Sequence, residues 1–312
     1  MARADQGHKY ELLAQVRDFL GIDNVTPRDR AKEKKYRDDP GDYVYSATNV
    51  DIDDSKKIKR RGGYEKVVSA TSSHSGWSNG KIGFFVDDGT LYMLNEDLSV
   101  TTMLANLSRG LRMSYVEVEA NDRVYFTNSQ VIGYVENAVC YSLPVPTQDL
   151  KSVLPPGKFI EYYAARLWVA QGRYLYFSDP LWTDAIDYRR NFIAFEEELT
   201  LLRAVDDGLY VGAGKTYFLH GATPKEMQRK DIFPYDAIPY TDIVTSKENI
   251  GEKGGVGKVV IWTSHKGICF GGSSGDAINV TEKRYTMMQA REGCATYIAD
   301  PGHHRYVSVI YR

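Results

Sequence analysis

Six times along this chain a short apolar run breaks at two or three turn residues and then resumes. That pattern leaves little choice but antiparallel strands joined in hairpins. Residues 83–86 and 91–94 flank Asp87-Asp88-Gly89, and residues 116–118 and 124–126 flank Asn121-Asp122. Residues 166–170 and 174–177 flank Gln171-Gly172-Arg173. Residues 199–205 and 209–211 flank Asp206-Asp207-Gly208, with 216–219 continuing outward. Lys266-Gly267 separates 259–263 from 268–270, and Pro301-Gly302 separates 295–298 from 306–311. The turns recur about forty residues apart, the period of propeller blades. The expected fold is therefore all-β, a β-propeller of about six blades occupying residues 46–312. The last strand, 306–311, is expected to pair with 64–68 and close the ring, since closure removes exposed strand edges. A two-sheet sandwich is the architectural alternative.

Residues 1–45 read differently and predict an N-terminal arm. Tyr10, Leu12, Leu13, Val16, Phe19 and Leu20 fall at helical spacing, and Gly21 is placed to stop the helix. A basic run follows, with Arg28, Arg30, Lys32, Lys34, Lys35 and Arg37 against Asp29 and Glu33. Such a run reads either as a solvated linker or as a contact for phosphate or an acidic neighbour. The formal net charge of −2 exerts no global pull towards nucleic acid. No run approaches the roughly 18 apolar residues of a bilayer span, and the first residues lack the apolar stretch of a signal peptide, so no membrane insertion is expected. Cys140, Cys269 and Cys294 are an odd number at unrelated spacings and predict neither a disulfide framework nor a zinc site.

Near-motifs for chemistry read as turns. Gly212-Ala213-Gly214-Lys215-Thr216 ends like a phosphate-binding loop, but the first glycine of that motif would fall at Leu209, and Tyr217-Phe218-Leu219 continue as a strand. Gly272-Ser273-Ser274-Gly275 has the wrong spacing for a nucleophile elbow. His303-His304 would point to opposite faces of a strand, and His74, His220 and His265 are isolated. Asp87-Asp88, Asp206-Asp207 and Glu196-Glu197-Glu198 could in principle supply acid/base pairs, but the first two sit where hairpin turns use Asp for backbone bonding, and glycan cleavage is not expected.

One segment carries more than its periodicity. In residues 49–68, Val50 and Ile52 alternate with Asp51 and Asp53, Asp54-Ser55 make a turn, Ile58 opens the return and Arg60-Arg61-Gly62-Gly63-Tyr64 follow. The order N-V-D-I-D-x-S…I-x-R-R-x-G-Y, preceded by Gly21-Ile22-Asp23-Asn24-Val25, resembles the opening of a family of tailed-bacteriophage virion proteins that are β-propellers of the neck or tail. The sequence departs from that pattern at Lys56, where a turn glycine is usual, and at Gly63, close to a common Pro-Gly. Further phrases similar to that family, around Tyr176-Phe177-Ser178-Asp179-Pro180 and Asp207-Gly208-Leu209-Tyr210-Val211, extend the resemblance from about Gly21 to about Gly221.

The resemblance implies a non-enzymatic structural component of the virion, assembled in the host bacterial cytoplasm without cofactor or metal. It would form an oligomeric neck or tail ring around the DNA path. Its partners would be copies of itself and other neck or tail proteins, with non-specific contact to packaged DNA. Arg28, Arg30, Lys34, Lys35, Arg37, Lys57, Arg60 and Arg61 are the expected DNA-facing residues. Tyr10, Leu13 and Phe19 in the arm are expected at interfaces between subunits. So are the aromatic and Arg-rich excursions, through Trp182, Tyr188, Arg189, Phe192, Phe233, Tyr235 and Tyr240. The alternative is a receptor- or glycan-binding propeller at the tail tip, for which Trp77, Trp168 and Trp182 are the residues to watch.

Overall fold

The computed structural model describes residues 19–26, 42–52, 56–63, 65–250, 256–287, 289–300 and 303–311. It is all-β, with 50% of the chain in strands and 3% in helix. The chain divides into two compact units, one comprising Met1–Tyr64 and Glu282–Thr286, the other Glu65–Thr281 and Met287–Arg312.

In the first unit, Phe19–Ile22 pairs in parallel with Asp42–Val44. Phe19 and Leu20 are thus strand residues, not the end of a helix, because pairing with a distant segment overrides a local periodicity. The remainder of the expected helix, with Tyr10 and Leu13, and the basic run of Arg28, Arg30, Lys34, Lys35 and Arg37 lie outside the described residues. Val50–Ile52 and Ile58–Arg60 form the expected hairpin, with Asp51 opposite Lys59 and Ile52 opposite Ile58. Asp23 fixes the chain after the first strand: its carboxylate accepts from the Val25 and Thr26 amides at 3.2 and 2.9 Å and from the Thr26 hydroxyl at 2.8 Å.

The second unit is a succession of four-stranded antiparallel meanders. Sheet A is Ser73–Ser78, Gly83–Asp87, Thr90–Leu94 and Val100–Leu104. Sheet B is Ser114–Val118, Arg123–Thr127, Ile132–Glu136 and Val139–Ser142. Sheet C is Phe159–Tyr163, Arg166–Gln171, Tyr174–Phe177 and Phe192–Ala194. Sheet D is Leu201–Val205, Gly208–Ala213, Lys215–His220 and Gln228–Phe233. Sheet E is Ile243–Ser246, Lys258–Ser264, Gly267–Gly271 and Ala277–Asn279. A long hairpin, Glu292–Asp300 with His303–Tyr311, completes the unit.

All six expected hairpins are present, but among the described residues the sixth has only two strands. The count is five four-stranded sheets and a hairpin, not six full blades. The expected closing pair is also corrected: residues 65–68 form no strand, and His303–Tyr311 pairs with Glu292–Asp300. A two-sheet sandwich is excluded by the five successive sheets.

Consecutive sheets share apolar layers, and the side chains show why. Along Leu201–Val205, Leu202 and Ala204 pack towards sheet C with Trp168, Phe177 and Leu209, whereas Leu201 and Val205 pack towards sheet E with Tyr210, Phe218 and Trp262. Strand alternation thus buries both faces, so the middle sheets read as continuous apolar runs. Sheets A and B share Phe84, Leu91, Tyr115 and Phe126, and sheets B and C share Tyr125, Ile160, Leu167 and Val169. Trp168 and Trp262 are fully buried, each worth on the order of 1.5–3 kcal/mol or more in removed apolar surface. The first strands of sheets B, C, D and E and of the hairpin are successive neighbours, so each meander runs outward from a common inner row.

Candidate functional site

Where these inner strands begin, the segments entering them converge on a cavity of about 440 Å³. Lys158 and Arg291 immediately precede the first strand of sheet C and the hairpin, Glu198 and Thr200 lie just ahead of the first strand of sheet D, and Ala237, Ile238 and Pro239 lie in the segment leading to that of sheet E. His265, in a sheet E turn, and Gln289 complete the polar lining. Lys158 Nζ lies 3.2 Å from Glu198 Oε1 and 5.7 Å from the centroid of the Phe159 ring. Asp236 is consumed internally. It accepts from the Thr200 hydroxyl, from the Gly214 amide at 2.9 Å and from the Ala237 amide at 2.8 Å. Burial nevertheless pushes its carboxyl above the ordinary range, against the pull of those donors. The glycine turn that resembles a phosphate loop therefore joins two strands and gives the amide of Gly214 to an internal carboxylate.

Deeper along the inner row, Arg203 bridges two carboxylates, pairing through Nε with Asp242 and through a terminal nitrogen with Glu161 at 3.4 Å. Burial drives the Glu161 carboxyl upward, partly offset by Arg203. Burial pulls the Arg203 guanidinium downward, but Asp242 and Glu161 carry it above its ordinary value. This network ties sheets C, D and E together. Arg112, ahead of sheet B, lies 3.6 Å from Glu292 and within 5.6 Å of the Tyr240 and Tyr311 ring centroids, linking sheet B to the hairpin. Tyr306, its hydroxyl pushed up to about 12 by burial, donates to the Thr241 carbonyl and holds the hairpin to sheet E.

The residues expected at interfaces separate into two groups. Tyr188 and Phe192 are exposed along the outer part of sheet C, edge-on to Tyr176 and Tyr174 at 5.6 and 5.9 Å. Arg189 beside them is held by Asp187 at 2.9 and 2.8 Å, and Trp182 is half-buried. Phe233, Tyr235 and Tyr240 are instead packed inside their own chain. Phe233 stacks on Tyr235 at 5.1 Å beside Trp262, and Tyr240 packs on Phe159 at 5.0 Å. Tyr235 is buried and Phe233 and Tyr240 are half-buried, so part of this aromatic density serves the core of the chain itself.

Lys57 and Arg60 are exposed on the hairpin of the first unit, while Arg61 is engaged by Asp51 at 3.2 Å. The tryptophans make no common recognition surface: Trp168 is fully buried and donates to the Tyr163 carbonyl at 3.0 Å, and Trp77 packs on Phe84 and Tyr115. Of the cavity residues only Glu198, in a carboxylate run, and His265, as an isolated histidine, drew notice in the sequence, and their convergence was not anticipated. Their one shared signal is position, since most stand just ahead of an inner strand.

No family model matches this sequence, and no curated protein sequence matches it. It is similar in structure to PorZ of Porphyromonas gingivalis, a surface component of the type-IX secretion system, at 12% identity and a TM-score of 0.47 over 78% of this chain. The chain spans about a third of PorZ, 32% of its length. A gluconolactonase of Xanthomonas campestris is similar at 12% identity and a TM-score of 0.46, covering 77% of this chain and 86% of that one. A virginiamycin B lyase of Staphylococcus aureus follows at 10% identity and a TM-score of 0.44, covering 83% and 84%. These values are too low to carry anything about what this chain does, and its fold rests on its own strand pairing. The expectation of a non-enzymatic protein is nevertheless corrected. Structures similar to this chain include two enzymes, the gluconolactonase and the virginiamycin B lyase.

Proposed function

We propose that this chain is a structural component of a tailed-bacteriophage particle, with copies assembled in the neck or tail around the path of the DNA. The finer fold reading belongs with it: a β-propeller in which the five meanders are blades and the last hairpin begins a sixth. The observation that carries the proposal is the segment from Val50 to Arg61. Its order of residues resembles the virion family. Its hairpin belongs to a separate unit and carries Lys57, Lys59 and Arg60 at exposed positions. Exposed cations of this kind suit phosphate or an acidic neighbour. Tyr188 and Phe192 on the outer part of sheet C supply exposed aromatic surface of the kind subunit contacts use.

The test is immunogold electron microscopy of purified particles with an antibody raised against the Val50–Arg60 hairpin. Label in a ring at the head–tail junction or along the tail supports the reading. Particles that carry no label, under conditions in which the antibody binds the isolated protein, sink it.

A further inference from the structure

We infer that the cavity at the start of the inner strands binds a small monoanionic ligand, a carboxylate carried on a hydroxylated ring, of the acidic-monosaccharide class. The inference is independent of the virion reading and rests on an inventory of donors and acceptors. Of the two carboxylates lining the cavity, Asp236 already takes three internal hydrogen bonds and Glu198 is engaged by Lys158. Arg291 has no carboxylate partner among the described residues, and its side chain is exposed into the same space. Its planar fork fits a carboxylate in two parallel bonds, a geometry an ammonium group does not offer.

The remaining lining sets the rest of the ligand. Gln289 and His265 offer further polar contacts, and the Glu198 carboxylate keeps acceptor capacity beyond its single contact with Lys158. Ala237, Ile238, Pro239 and Ala290 form an apolar side against which the C–H face of a ring can lie. Glu198 and Asp236 disfavour a dianion such as phosphate by like-charge repulsion, whereas a single carboxylate with neutral hydroxyls meets both kinds of wall. The volume of about 440 Å³ lies at the lower end of ligand sites, which span roughly 300–1,000 Å³.

The test is isothermal titration calorimetry of the full chain with D-glucuronate, D-glucose and inorganic phosphate as probes. Saturable glucuronate binding is expected, with glucose and phosphate each at least about tenfold weaker, a difference of about 1.4 kcal/mol. Arg291→Ala, a change at an exposed position, is expected to weaken glucuronate at least about tenfold, with Arg291→Lys intermediate because it keeps the charge and loses the fork. Circular dichroism and thermal midpoint establish that both variants are folded. Absence of saturable glucuronate binding up to about 10 mM overturns the inference, as does glucuronate binding unchanged in Arg291→Ala or phosphate binding as tightly as glucuronate.

Discussion

Replacing Arg203 by Met removes one charge and keeps most of the side chain's volume. It strands two carboxylates: the Asp242 side chain is 2% exposed and that of Glu161 10%. Breaking a buried pair typically costs about 3–5 kcal/mol, because the partner's desolvation is no longer compensated. Arg203 itself is 23% exposed, so water reaches part of the site and the lower end, about 3 kcal/mol, applies. For a domain of this size that corresponds to a fall of about 6 °C in midpoint.

The deficit has a definite pH dependence. Without Arg203, the burial that raises the Glu161 carboxyl is no longer offset by a neighbouring cation, so its folded-state pKa lies further above the unfolded value. Such a group costs stability at pH above its folded pKa and recovers it as protons bind, so the deficit narrows from pH 7.5 towards pH 5. Thermal unfolding followed by tryptophan fluorescence reads both quantities. Adding Glu161→Gln and Asp242→Asn to Arg203→Met is expected to restore most of the loss, since no charge remains stranded. A deficit under about 2 °C at neutral pH, or one that is constant or wider at pH 5, refutes the reasoning.

Other consequences are equally direct. Gly208→Ala places a Cβ 2.2 Å from the Leu219 carbonyl and 2.7 Å from the Phe218 ring, so a loss of about 1–3 kcal/mol is expected in urea unfolding, against little change for Gly76→Ala, which meets open space. The Asp206 carboxyl is held below its usual range, first by the Ser273 hydroxyl and then by the Lys258 amide. A depressed carboxylate stabilises above its unfolded pKa and loses that contribution as pH falls through its folded pKa. Asp206→Asn is therefore expected to be less stable than the parent at pH 7, and the gap to close below the ordinary carboxylate range, as urea midpoints across pH will show. Trp168 and Trp262 are fully buried, so iodide is expected to leave a substantial unquenched, blue-shifted fraction of the native emission. Complete quenching speaks against the sheet packing.

The hairpins were legible because Asp-Gly, Asn-Asp and Gly-Arg turns flank runs that are apolar on both faces. The outer strands were not: Gln228–Phe233 is largely exposed and Val100–Leu104 mostly so, and neither carries a period-two stripe. The sixth hairpin looked like the others in sequence, and only pairing reveals that it lacks outer strands among the described residues. The packing of Phe233, Tyr235 and Tyr240 was not legible because an aromatic run beside Pro reads the same whether it meets a partner or packs on Trp262 and Phe159. The cavity was invisible for a topological reason. Lys158, Glu198, His265 and Arg291 are far apart in sequence, and only the common start of the inner strands brings them together.

The shared apolar layers also determine how the second unit comes apart. Sheets B, C and D each contribute to two layers, whereas sheet A contributes to one and the hairpin meets sheet E largely through polar contacts of Tyr306 and Ser308. Apolar coupling is then nearest-neighbour, with the Arg112–Glu292 contact tying the hairpin back to sheet B, and opening starts where a sheet shares a single layer. Amide hydrogen exchange should be slowest in the inner strands of sheets C and D and fastest in sheet A and the hairpin. Loss of one apolar layer would therefore release one sheet while the layers beyond it stay packed.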